Sequence, residues 1–127
     1  MRARRWFGAG AALVGVGVAL GAFGAHGLRA RLSPEMLGTF ETGVRYQIYH
    51  GLAIMGVALG ADRWNVAFRA VLVLFATGIV LFAGSLYALA LTGARGWGAV
   101  TPAGGGCFLL GWGVLAWSVL RSSTARS

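Results

Sequence analysis

Apolar and polar positions along this chain fall into blocks instead of alternating. Apolar runs occupy about 6–28, 42–61, 69–92 and 102–120, and the charged residues collect between them and at the two ends. A helix on the surface of a soluble domain keeps a polar stripe along its length. Most of these runs have none. Each is close to the roughly 20 helical residues needed to cross about 30 Å of hydrocarbon. The pattern therefore predicts an all-α integral membrane four-helix bundle, one transmembrane domain over 1–127.

Local punctuation refines two of the boundaries. Ser33-Pro34-Glu35 reads as a helix start, with an N-cap, a proline at the first helical position and an early acid. The second helix is thus expected to begin outside the hydrocarbon, over about 34–41, and to enter it near Thr42. Thr101-Pro102 reads as an N-cap and N1 pair for the fourth helix. The first run, behind the basic "MRARRWF", has the outline of a signal peptide, with "AFG" at 22–24 as a small-residue cleavage site. Its apolar stretch exceeds the usual 7–15 residues of a signal h-region, and three further spans follow. It is read as a retained first helix.

Composition agrees with the pattern. Hydrophobic residues make up 57% and charged residues 11%, against about 25% charged in a soluble domain. Mean hydropathy is +0.73. The net charge of +8 would suggest nucleic acid in a soluble protein. Here every basic residue is an arginine at the end of an apolar run, so lipid headgroups and membrane orientation account for the charge. Nucleic acid is not expected as a partner. With four spans both termini share one side, together with Arg2, Arg4, Arg5, Arg63, Arg69, Arg121 and Arg126. The other side carries Arg29, Arg31, Arg45 and Arg95. Lys/Arg excess marks the cytoplasmic side, so both termini are expected inside, in a bacterial inner membrane. Trp6, Trp64, Trp97 and Trp117 fall near span ends, where interfacial aromatics belong. Cys107, the single cysteine, reads as small buried packing.

Twenty-two glycines change the picture of how the helices associate. Gly10, Gly17 and Gly24 recur every seven residues, and Gly8, Gly15 and Ala22 do so one face over. Gly78, Ser85 and Thr92 make a third series, Gly104 and Gly111 a fourth. "GVALG" at 17–21 is a GxxxG motif that returns at 56–60. Lipid gives apolar helices little reason to associate, so close backbone approach must supply the packing. The glycine faces are expected to hold a tight bundle and to offer contact to another membrane protein or a second copy. Membrane lipids are the remaining expected partner.

The candidate chemistry lies in "ETGVRYQIYHG" at 41–51. Glu41, Arg45 and Tyr49 are spaced i, i+4, i+8, and Tyr46 and His50 i, i+4, so the two rows share about half the helix surface. Glu41 and Arg45 stand in the favourable order for an ion pair. The plain reading is that Arg45 snorkels and the two tyrosines sit in the aromatic belt. His50 lies deeper, where an ionisable side chain is a functional hypothesis. Its expected role is a structural hydrogen bond, for instance to Tyr46 or Tyr87, ahead of contact with a ligand, lipid or partner. His26 and His50 are expected to share one outer-leaflet layer, with Tyr87 and the Thr101 helix start within reach. Metal ligation is not expected, since zinc wants four ligands and nothing else at that depth supplies them. No cofactor motif is present, and Glu35, Glu41 and Asp62 are the only acids, so an enzyme is not expected.

Four strings, "GAFGAHG" at 21–27, "TGVRYQIYH" at 42–50, "GIVLFAGSLYALALTG" at 78–93 and "TPAGG" at 101–105, resemble family 423 of the domains of unknown function. Its members are small bacterial inner-membrane proteins, with the animal transmembrane protein 256 as a relative. The resemblance implies a four-helix membrane protein and marks His26, Gly27, Tyr46, His50, Ser85, Tyr87, Thr101 and Pro102 as matched positions. It implies no activity. The expectation is a non-enzymatic lipid-, ligand- or protein-binding membrane component with a polar pocket at the outer leaflet. A small transporter or channel is the alternative. It would need a polar row continuing through the inner half, which the residues between His50 and Asp62 do not provide.

Overall fold

The computed structural model describes residues 2–61, 63 and 67–124. Asp62, Trp64 and Arg126, on which the expectations above partly rest, lie outside the described residues. All regular structure described is helical. The first helix runs Arg2–Phe23 and continues as a π turn, Gly24–Leu28; the second is Pro34–Gly60. The third comprises Phe68–Gly78, a π segment Ile79–Ala83, and Gly84–Thr92. A 3-10 turn at Arg95–Ala99 leads into the fourth helix, Thr101–Thr124.

The start of the second helix follows its sequence signal: the Ser33 hydroxyl accepts the Met36 amide at 3.2 Å, and Pro34 opens the helix. The third helix ends on Gly93, whose φ of 71° is the left-handed conformation a glycine adopts without steric cost. Its amide reaches the Leu89 carbonyl at 2.8 Å. The start of the fourth helix differs from expectation. Thr101 is its first helical residue, and its hydroxyl meets Ser85 Oγ at 2.6 Å instead of capping its own helix. A partner on the third helix has taken the cap.

Three segments, Arg2–Leu28, Phe68–Thr92 and Arg95–Ser122, are long and apolar enough to cross a membrane by length and composition. The second helix is long enough, but Arg45, Tyr46, Gln47, Tyr49 and His50 lower its mean hydropathy. It is also the central helix. It packs along the first and third helices, and its buried positions include Val44, Gln47, His50, Gly51, Ile54 and Val57, a repeat of three and four. A core of Ile54, Leu72, Phe75, Ile79 and Phe108 joins three helices, and a smaller one gathers Leu28, Phe40, Val44 and Ala90 toward the other end.

Glycine sets the spacing at two interfaces. A Cβ on Gly10 would lie 2.7 Å from the Gly51 carbonyl oxygen, and one on Gly17 would lie 2.7 Å from Ile48. Gly24 faces Phe40 in the same row. Between the third and fourth helices, Gly78 faces Phe108, Gly104 abuts the backbone of Phe82, and Gly111 lies under Phe75. Gly8, Gly15, Gly56, Gly106 and Gly113 meet nothing within 4 Å, so one seven-residue row of the first helix packs and its neighbour does not.

Candidate functional site

The polar residues of the second helix divide by face. Gln47 and His50, three apart and each 4% exposed, point into the bundle. Arg45, Tyr46 and Tyr49 lie on the exposed side. Glu41 is half-buried, and no ion pair joins it to Arg45 among the described residues.

His50 is held on both ring nitrogens. Nδ1 is 2.9 Å from the Tyr46 carbonyl, and the Trp112 indole N–H donates to Nε2 at 3.1 Å. A carbonyl only accepts and an indole only donates, so the network assigns the neutral Nδ1–H tautomer. The ring stacks on Phe108 at 3.5 Å between centroids and 11° between planes, and the Phe75 ring meets it edge-on at 5.3 Å. Both nitrogens are therefore occupied, and neither is free to bind a metal or take a proton from a substrate in this arrangement. The described residues contain no group of three or more metal-ligating side chains.

Gln47 is held at both ends of its amide. Nε2 donates to the Leu13 carbonyl at 2.9 Å, and Oε1 accepts the Tyr87 hydroxyl at 2.6 Å. Gly17, one turn on from Leu13, makes room for Ile48 beside this bond, since a Cβ there would lie 2.7 Å from the Ile48 side chain but in ordinary contact, 3.6 Å, with Nε2. Ser85 reaches the Phe82 carbonyl at 2.9 Å and Thr101 the Trp97 carbonyl at 3.5 Å, and the two hydroxyls share the 2.6 Å hydrogen bond between them. Gln47 thus ties the second helix to the first and third, His50 ties it to the fourth, and Ser85 ties the third to the fourth. No buried side-chain polar atom among the described residues lacks a partner.

The residues expected to form one outer pocket are dispersed. His26 is exposed on the π turn of the first helix and does not share His50's interior layer; the turn carries its imidazole outward. Tyr46 keeps 38% of its surface and packs on Phe82 at 4.7 Å and Tyr49 at 5.8 Å. Tyr87 and Thr101 do enter the polar network, through Gln47 and Ser85. Gln47, Phe108 and Trp112 belong to the network although no role was expected of them, and Ser85 joins it although it was expected only in a small-residue packing series and as a matched position. A tryptophan in the middle of an apolar run, away from the interfacial belt, was the signal available for Trp112.

An apolar cavity of about 240 Å³ opens beside this network, between the second and fourth helices. Ala53, Gly56, Val57 and Gly60 form one wall, Trp112 and Leu115 the other. The indole that closes it is the one fixed by His50. The absence of a side chain at Gly56 keeps the space open. An apolar cavity of about 150 Å³ already admits benzene, so this one is large enough for a stretch of hydrocarbon.

The family model described as "Protein of unknown function (DUF423)" matches residues 20–105. A membrane protein named UPF0382 from Staphylococcus epidermidis is 46% identical over 106 residues, 82% of this chain and 85% of its own length. The Escherichia coli K12 protein named "UPF0382 inner membrane protein YgdD" is 46% identical over 105 residues, covering 82% of this chain and 80% of its own. A UPF0382 membrane protein of Staphylococcus saprophyticus reaches 48% over 97 residues, 75% of this chain and 79% of its own. No solved structure matches.

Proposed function

The chain belongs to the DUF423 family of membrane proteins, and on that footing we propose that it binds an apolar membrane component, without catalysis, in the cleft between its second and fourth helices. The protein is a four-span bundle of the inner membrane with both termini in the cytoplasm. The second helix crosses as the central element, its polar side chains satisfied by its neighbours and not by lipid. The single observation that carries the reading is the cavity walled by Gly56 and Trp112. Every polar atom near it is already bonded, which favours hydrocarbon over a polar guest and binding over chemistry. The occupant that fits is a lipid acyl chain or a comparably narrow hydrophobic ligand.

Photocross-linking in native membranes tests this. Benzoylphenylalanine at Gly56 should give a lipid-sized mass adduct in higher yield than at Leu109, which is 76% exposed on the fourth helix. Equal yields at the two positions, or an adduct with another polypeptide, would remove the ligand reading.

A further inference from the structure

A second cleft, of about 460 Å³, lies between the beginning of the first helix and the beginning of the third. Arg2, Arg5 and Arg69 stand around it, Trp6 and Phe68 flank it, and Ala9 and Val73, exposed one turn further along their helices from Arg5 and Arg69, form its apolar depth along the helix axes. We propose that it is a binding site for one anionic phospholipid, with the phosphate held by the arginines and the glycerol end of the acyl chains against Ala9 and Val73.

Charge is the first argument. Three guanidinium-bearing side chains line one cleft, and the described carboxylates, Glu35 and Glu41, lie near the start of the second helix at the other end of the bundle. Neither the first nor the third helix has an acidic residue in its first turn, and no side chain caps the third. Helix N-termini favour anions and disfavour cations. Here the positive ends of two helices and three arginines converge, a setting that favours an anion. Guanidinium matches phosphate geometry with two parallel hydrogen bonds.

Polarity gradient is the second argument, and it selects the source of the phosphate. A free phosphate would leave the apolar depth of the cleft empty. A phospholipid fills both, with its headgroup among the arginines and its hydrocarbon along Val73, which is 45% exposed on the side of a membrane-crossing helix. Trp6 at the rim suits the headgroup level. Basic clefts between helices at this depth are suited to anionic headgroups. A headgroup with two phosphates matches three arginines better than one carrying a single charge.

Native mass spectrometry of the full chain, released from vesicles of equimolar dioleoyl phosphatidylcholine and tetraoleoyl cardiolipin, reads the site directly. Cardiolipin should be retained selectively. Arg5→Gln with Arg69→Gln should cut that retention about thirtyfold, whereas Arg4→Gln with Arg63→Gln, which removes equal charge at the same end outside the cleft, should change it little. Ala9→Phe, which fills the apolar depth and keeps every arginine, should also lower it. Melting in phosphatidylcholine alone checks that each variant is folded. Equal retention of the two lipids, equal effects of the two double variants, or displacement by millimolar sodium phosphate would overturn the proposal.

Discussion

Leaving a buried donor or acceptor without a partner costs about 1–3 kcal/mol, and Gln47 would leave two if its helix stood alone. Gln47→Leu keeps the bulk, removes both bonds and strands the Tyr87 hydroxyl, so it should lower unfolding stability by about 1–3 kcal/mol. Adding Tyr87→Phe should recover part of that loss. The coupling expected between partners in a membrane bundle is roughly 0.6–1.7 kcal/mol, and a double-mutant cycle from unfolding in mild detergent measures it. Additive losses would mean the hydrogen bond contributes nothing. At this scale the sequence disclosed half of the arrangement. His50 was legible because an imidazole inside an apolar run demands a partner, and its bond to the Tyr46 carbonyl is local. Its other partner, Trp112, is 62 residues away, and only the register between helices brings them together. Gln47 lay in the same string, and its spacing of three from His50 put both on one face.

Among the helices, the same residue type has opposite consequences depending on what it faces. At Gly104 a new Cβ would collide with the backbone of Phe82, inside the π segment of the third helix, where nothing can rotate away. Gly104→Ala should therefore cost about 1–3 kcal/mol through overpacking. Gly106 meets open space, and there alanine removes the helix penalty of glycine, a gain of about 0.5–1 kcal/mol. Melting temperatures in one detergent should separate the two variants in sign. Helix positions and the packing rows at Gly10 and Gly104 were readable from length, hydropathy and seven-residue spacing. The idle row at Gly8 and Gly15 was not, because both rows have the same period and only the neighbour distinguishes them. The Thr101 cap was misassigned for a similar reason: a hydroxyl at a helix start looks the same whether it bonds its own amides or a serine on another helix.

For the whole molecule, the proposed four-span topology puts the arginine-rich end and the polar loop between the first two helices on opposite faces of the membrane. In a Cys107→Ser background, cysteine at Ser33 should react with an impermeant maleimide on intact cells, and cysteine at Ser123 only after lysis. Labelling of Ser123 alone on intact cells would invert the orientation. The central position of the second helix carries a further consequence, for the order in which the protein is made. Its Gln47 amide needs Leu13, synthesised earlier, and Tyr87, synthesised later. While the ribosome is between those two points, the helix can satisfy only its amide hydrogens and only by lying against the first helix. On the proposed topology the first two segments should accordingly enter the bilayer as one hairpin, with the second an incomplete passenger until the third emerges to meet its carbonyl.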